Sequence, residues 1–150
     1  MDCSLSQLSS NGEGGEAIIV AINSNENRDW EYSYARNGAR YGKFLVETLK
    51  PFIDGHYRTR PGRDSTFLIV SSLGAVISVE ILWHESDIFS KAAGLSLPVH
   101  YRDGNDSSFK TLKDIDFQPS SISIYLDHGT VGEDHSYASG AHHFTNWLRA

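Results

Sequence analysis

The chain has 150 residues, 39% of them hydrophobic and 21% charged, which is typical of one globular domain large enough to form its own core. Its formal net charge of −6 argues against a surface for nucleic acids or anionic membranes, because such surfaces need clustered Lys and Arg. The single cysteine, Cys3, excludes an internal disulfide and a thiolate metal site. No apolar run is long enough to span a membrane and the first ten residues lack a secretion signal, so we expect a cytoplasmic protein.

Two segments precede the first predicted helix. Residues 1–15 are rich in Ser, Gly, Asn and Glu, which predicts a flexible N-terminal segment ahead of one domain over residues 16–150. Residues 16–22 (EAIIVAI) form a continuous apolar run, which predicts a strand covered on both faces.

A helix is predicted after Asn37. The apolar residues of NGARYGKFLVETLKPFIDGHY recur at helical spacing and form one face: Tyr41, Phe44, Leu45, Leu49, Phe52 and Ile53. Pro51 interrupts this face, so we expect the helix to kink, or its regular part to end, near Lys50.

The stretch TFLIVSSLGAVISVEI joins a strand to a helix through a serine. Residues 67–70 are a short apolar run of strand type, and from Leu73 onwards the apolar spacing suits a helix. Such a junction is the architecture of a nucleophile elbow, so Ser72 is the candidate nucleophile. An ideal elbow has glycine on both sides of the serine; Gly74 meets this pattern, whereas Val70 is expected to crowd the turn. A buried strand followed by a helix with a serine N-cap is the alternative.

Two more strands and a helix are predicted downstream. Residues 91–95 form a short buried strand, residues 120–127 form a strand that alternates apolar and polar side chains, and residues 144–149 form a short helix. Strands that alternate with helices indicate a parallel α/β sheet, whose ligand cleft lies beyond the carboxyl ends of the strands. Ser72, Ser96 and Asp127 all fall at such ends.

Five sequence blocks, in this order, resemble the Putative esterase family of α/β-hydrolases, which includes enterochelin esterases: IIVAI, NRDWEYS, YGKFLVETLKPFIDGHYRTRPGRDSTFLIVSSLGAVIS, HESDIFSKAAGLS and ISIYLDHGT. The resemblance covers roughly residues 16–130 and implies a reduced α/β-hydrolase fold, with a mainly parallel sheet flanked by helices. The family pattern resembling GSSLGG makes Ser72 the nucleophile, although Val70 and Ala75 depart from it. Typical members are longer, so this chain resembles only their middle and end.

The resemblance implies that a histidine follows late in the chain, in a stretch similar to G-x-H-x-x-x-x-W. In SGAHHFTNWLRA, His142 has Trp147 five residues later, while His143 stands three residues after Gly140. The sequence cannot choose between them, and we prefer His143. His135 ranks third because it follows the last strand too closely to reach back over the sheet.

The carboxylate that orients this histidine is implied to lie in the turn DHGTVGEDHSY. Asp134 is the preferred acid, with Glu133 as its neighbour. Asp127 is the alternative if the segment is shorter, and it is equally suited to cap the turn through backbone hydrogen bonds. The four histidines His128, His135, His142 and His143 lack the helical spacing of a zinc motif, so we expect neither a metal nor another cofactor.

The resemblance implies that the protein is a serine carboxylesterase that acts on small or short-chain esters. The backbone N–H of Leu73 is the expected oxyanion donor. The second donor would come from a loop after a strand that precedes residues 16–22, where we expect only a Gly- and Ser-rich segment. We therefore expect a weak esterase, and a non-catalytic remnant or binding module is the alternative. The missing early strands also predict a homodimer that covers the sheet edge near residues 18–22.

Overall fold

The computed structural model describes residues 7, 10–12, 15–33, 36–98, 119 and 121–149, and the backbone of residues 101–102 and 105–106. Most of the predicted flexible segment, residues 1–15, lies outside this set. The helices are α1 (Arg28–Glu31), α2 (Gly38–Lys43), α3 (Lys50–His56), α4 (Leu73–His84) and α5 (Ala138–Leu148). A π-helical stretch (Phe44–Leu49) joins α2 to α3, and two 3-10 helices cover Arg63–Ser65 and Gly132–Tyr137. The strands are β1 (Phe67–Ser71), β2 (Lys91–Leu95), β3 (Tyr101–Arg102), β4 (Asn105–Asp106) and β5 (Ser123–Leu126).

Among the described residues, the main sheet has three parallel strands in the order β1, β2, β5. Val70 pairs with Gly94, which pairs in turn with Leu126, so the carboxyl ends of the strands meet at one edge. Strands β3 and β4 form a separate antiparallel pair. The predicted parallel α/β architecture is confirmed, and it places Ser72, Ser96 and Asp127 side by side beyond the strand ends.

Helix α4 is the centre of the core, because its residues from Gly74 to Trp83 are all buried. One side of α4 packs with Phe144 of α5, and the other side packs with Leu45 of the π-helical stretch. A helix that is apolar around most of its circumference needs cover on all sides, and here the sheet and two helices supply it. The elbow that begins α4 is thus anchored in the best-packed part of the domain.

Pro51 is accommodated differently from the expectation. The regular α-helical part ends at Lys43, the chain continues as a π-helix, and the helix then runs past Pro51 to His56. The Lys50 N–H bonds to the carbonyl of Leu45, five residues back. Because proline lacks an N–H and its ring crowds the preceding turn, we attribute the wider π-turns to the room that Pro51 needs.

The predicted strand over residues 16–22 is wrong. These residues form no secondary structure, and the side chains of Ile18, Ile19, Val20 and Ile22 are 40–52% exposed. An apolar run becomes a buried strand only when a neighbouring strand pairs with it, and the described sheet ends at β1 without reaching this segment. None of the described helices is both long and apolar enough to cross a membrane.

The later elements agree with the sequence in kind. Strand β2 has the predicted bounds, and β5 lies inside the predicted range with Ile122, Ile124 and Leu126 turned towards the core. Helix α5 begins at Ala138 rather than at Phe144, so both His142 and His143 lie within it. This longer helix changes where the candidate histidines are held.

Candidate active site

Ser72 sits at a strained turn between β1 and α4. Its backbone has φ 57° and ψ −132°, a left-handed conformation that costs a non-glycine residue about 1–3 kcal/mol. The Ser72 N–H donates to the Leu95 carbonyl at 2.9 Å, and the Ser72 carbonyl accepts from the Ala75 N–H at 2.8 Å. The side chain is exposed and makes no cap hydrogen bond to α4, so its hydroxyl stands at the carboxyl edge of the sheet instead of serving as an ordinary N-cap.

The elbow accommodates Val70 because Gly74 has no side chain. A Cβ on Gly74 would overlap Val70 Cγ1, so the two residues share a space that holds one side chain. The expected crowding at Val70 is thus relieved across the turn.

Two tyrosines pack near the elbow. The aromatic ring of Tyr32 lies behind Gly74, with Tyr32 Cε2 3.9 Å from the position of a Cβ on that glycine. Burial and the neighbouring Tyr32 raise the pKa of Tyr41, whose ring packs on that of Tyr32 at 5.3 Å.

Leu73 is the first residue of α4, so its N–H is one of those that have no partner within a helix. The helix dipole adds partial positive charge at this end. An anion next to Ser72 would therefore meet a favourable field and a donor at Leu73. The loop from which the second oxyanion donor was expected would precede residue 16, and most of that segment lies outside the described residues.

The candidate carboxylates meet at Ser96, which directly follows β2. The Ser96 N–H donates to Asp127 Oδ1 at 2.8 Å, and the Ser96 hydroxyl donates to Asp134 Oδ2, also at 2.8 Å. Tyr125 Oη lies 3.5 Å from Asp127 Oδ2. Asp127 has the contacts of a turn cap, and Asp134 lies in the 3-10 helix Gly132–Tyr137.

Asp134 packs closely against Gly129. A Cβ on Gly129 would lie 2.7 Å from Asp134 Cβ and 2.9 Å from Asp134 Oδ2, so the aspartate packs directly on the glycine. The Tyr137 hydroxyl donates instead to the carboxylate of Glu133, the neighbour of Asp134. Burial first, and Glu133 second, raise the pKa of Tyr137. These contacts separate the two carboxylates of the turn, because Asp134 points to Ser96 and Glu133 points to Tyr137.

The two late histidines are adjacent in α5, and both are exposed. The rings of His142 and His128 meet edge to face with centroids 5.7 Å apart. His128 Nδ1 in turn donates to the Gly129 carbonyl at 3.0 Å. His142 is therefore in contact with the turn that carries Asp134, whereas His135 is an exposed residue of the 3-10 helix.

Among the described residues, no hydrogen bond joins Ser72 to a histidine ring, so the serine and the carboxylate cluster stand as separate halves of the site. No group of three or more potential metal ligands lies together in the described part of the chain. Sequence reasoning gave Ser96 no role. The one signal was its position at the carboxyl end of β2, beside the ends of β1 and β5.

Comparison with known proteins connects this geometry to a family. A family model described as Putative esterase matches residues 4–133. Among solved structures, the chain is similar to the BES protein from Bacillus cereus, with TM-score 0.61 and 16% sequence identity. The match covers 88% of this chain and 54% of that one, so this chain spans about half the length of its structural neighbour, and at this identity the likeness shows the fold. No curated protein matches the sequence significantly.

Proposed function

Because the chain belongs to the Putative esterase family, we propose that it is a serine carboxylesterase that hydrolyses small or short-chain esters through an acyl-enzyme. The observation that carries the proposal is the left-handed backbone of Ser72 at the junction of β1 and α4. A serine placed only to cap a helix has no need of this strained conformation and would direct its oxygen at the helix. The exposed hydroxyl at a strand end is the arrangement that an incoming ester requires.

In the proposed reaction, Ser72 Oγ attacks the ester carbonyl carbon while a histidine imidazole removes the hydroxyl proton. The carbonyl oxygen becomes an oxyanion, which the Leu73 N–H stabilises. The alcohol leaves with the proton from the imidazolium, and an acyl group remains on Ser72. Water then attacks this acyl-enzyme with the imidazole again as base, which releases the carboxylic acid and restores the serine. Asp134 orients the imidazole throughout.

For the base we propose His142, on the contact that it makes with the turn carrying Asp134, and His143, the sequence-based preference, is the alternative. His142 touches His128, which is bonded to the same Gly129 on which Asp134 packs. We propose that the His142 imidazole meets both Asp134 and Ser72 once an ester is bound. Catalytic hydrogen bonds are often long before substrate binds, which fits the lack of a hydrogen bond from His142 to Ser72 or Asp134 within the described part of the chain.

A low rate is part of the proposal. Loss of one oxyanion donor typically reduces kcat by about 10²–10³. With Leu73 as the one assigned donor, we expect turnover of activated esters such as p-nitrophenyl acetate to exceed that of unactivated alkyl esters by a wide margin.

The experiment compares p-nitrophenyl acetate hydrolysis by the parent and by Ser72→Ala, with Ser71→Ala as the matched control. Ser71 is the exposed neighbour of Ser72 at the end of β1, so its hydroxyl tests for non-specific surface acylation. We expect Ser72→Ala to reduce the rate to background and Ser71→Ala to keep it. Equal rates for the parent and Ser72→Ala would remove Ser72 from any catalytic role.

The alternative function is a non-catalytic module that retains the sheet of a hydrolase and binds a ligand at its carboxyl edge. The observation that favours it is the lack of a hydrogen bond between Ser72 and an imidazole among the described residues. This alternative predicts that neither Ser72→Ala nor His142→Ala changes the background rate, while both variants remain folded.

A further inference from the structure

Ser96 joins two carboxylates that come from different parts of the chain. Its backbone N–H is bonded to Asp127 and its hydroxyl is bonded to Asp134, both at 2.8 Å. Asp127 directly follows β5, whereas Asp134 belongs to the 3-10 helix beyond it. These two hydrogen bonds link Asp127 at the end of the sheet, through Ser96, to Asp134, the carboxylate proposed as the acid.

Ser96 makes these two bonds from a backbone conformation that is strained for a serine. Its φ of 50° lies in the left-handed region, where non-glycine residues are uncommon and glycine or asparagine is favoured. If only this backbone conformation were required, glycine would adopt it with less strain than serine. A serine adds a hydroxyl, and the left-handed turn aims that hydroxyl at Asp134 while the N–H faces Asp127. All three residues are partly buried, so water competes less for these bonds.

We propose that Ser96 is a positioning residue that fixes the carboxylate of Asp134 for the catalytic histidine, with Asp127 as the anchor of Ser96. This inference rests on the proposed esterase function. With Oδ2 bonded to the Ser96 hydroxyl, Asp134 keeps Oδ1 to accept the Nδ1–H of the imidazole. Without the hydroxyl, the carboxylate rotates away from that direction, and the imidazole loses its orientation in the transition state. Asp127 then acts as a structural cap and takes no part in proton transfer.

The test is a double-mutant cycle with Ser96→Ala, Asp134→Asn and the combined variant, measured as kcat and KM for p-nitrophenyl acetate. Alanine keeps the Cβ and the backbone N–H, so Ser96→Ala removes the bond to Asp134 and leaves the bond to Asp127 in place. Ser123→Ala is the control, because Ser123 is an exposed serine of β5 away from the cluster. Thermal unfolding of each variant shows whether it is folded.

We expect Ser96→Ala to lower kcat roughly 10- to 100-fold with KM nearly unchanged, the size of effect that a small misplacement of a catalytic group produces. In the Asp134→Asn background the same change should lower kcat less than twofold, because Ser96 acts through Asp134. A parent-like kcat for Ser96→Ala, an equal loss in both backgrounds, or no effect of Asp134→Asn would each overturn the inference. The proposed function fails separately, if Ser72→Ala retains the parent rate.

Discussion

Val70 Cγ1 occupies the space that a side chain on Gly74 would need, so the elbow holds its turn with one glycine in place of two. Val70 is the fourth residue of β1 and Gly74 is the second residue of α4, so they face each other across Ser72. The departure from a glycine at position 70 is therefore absorbed at position 74. A side chain at position 74 is therefore expected to destabilise the turn as long as Val70 is present.

Substitution of Gly74 by alanine tests this fit. Alanine early in a helix usually stabilises a protein, by up to about 1 kcal/mol relative to glycine. Here we expect the opposite sign, a loss of roughly 1–3 kcal/mol, because the new Cβ overlaps Val70. The measurement is the free energy of unfolding in urea.

The matched variant is Gly74→Ala combined with Val70→Ala. Val70 Cβ lies 3.2 Å from the Cβ position on Gly74, a tight but tolerable contact once Cγ1 is gone. We expect the second change to recover most of the stability lost in the first. Additive losses would contradict the shared-space explanation.

Replacement of the two late histidines distinguishes the candidate bases. We expect His142→Ala to reduce kcat by about 10²–10⁴, the contribution typical of a general base, and His143→Ala to leave kcat within a fewfold of the parent. His135→Ala serves as the control, since His135 is an exposed residue of the 3-10 helix. A loss confined to His143→Ala would restore the sequence-based preference.

Asp54 provides a pH-dependent part of the stability. The hydrogen bond from Lys50, and a second from Thr59, hold the pKa of Asp54 below its ordinary value of 3.8. A lowered folded-state pKa means that this stabilisation is present above pH 3.8 and is lost as the pH falls through the folded value. Asp54→Asn should therefore show a smaller fall in urea midpoint than the parent between pH 7 and about pH 3.

The control for this pH effect is Asp64→Asn. The Asp64 side chain is 88% exposed, and its nearest cation, Arg63 Nη1, lies 3.4 Å away. We expect it to keep the parent's dependence on pH. The same dependence in Asp54→Asn would show that the Lys50 network contributes nothing measurable.

How far the sequence predicts the structure depends on whether each signal is local. The bounds of β2 and the strand-to-helix junction at Ser72 follow from short apolar runs and small residues, and both are found. The apolar run of residues 16–22 has the same local signature, but a strand also needs a partner, and no local pattern reports whether one exists. The strand prediction therefore fails there.

In the candidate site, too, local features are predicted from the sequence and tertiary contacts are not. Ser72 is found by its position between two elements, but the bonds of Ser96 join residues that are 31 and 38 positions away in sequence. The turn containing Asp127 and Asp134 offers several carboxylates at similar spacing, and only the packing of Gly129 and Tyr137 separates their directions. Such contacts are tertiary, so spacing alone left the alternatives open.

Association of the chain in solution is predicted from its exposed apolar side chains. Ile18 and Ile19 are 50% and 52% exposed, and β1 is an edge strand among the described residues. We propose a homodimer that covers this region, which light scattering should detect as a mass that falls on dilution. Ile19→Lys should weaken it, whereas Val131→Lys, at an 80% exposed site elsewhere, should not. A monomeric parent at high concentration would contradict the proposal.

The central claim is that the Ser72 hydroxyl is the nucleophile, and covalent labelling tests it most directly. The parent is treated with a fluorophosphonate, which phosphonylates activated serines, and the labelled peptide is identified by mass spectrometry. We predict one adduct, located on Ser72, that is lost in Ser72→Ala and strongly slowed in His142→Ala. Two results would contradict the account: an active esterase whose Ser72 is not labelled, or labelling of Ser71 or Ser96 to the same extent as Ser72.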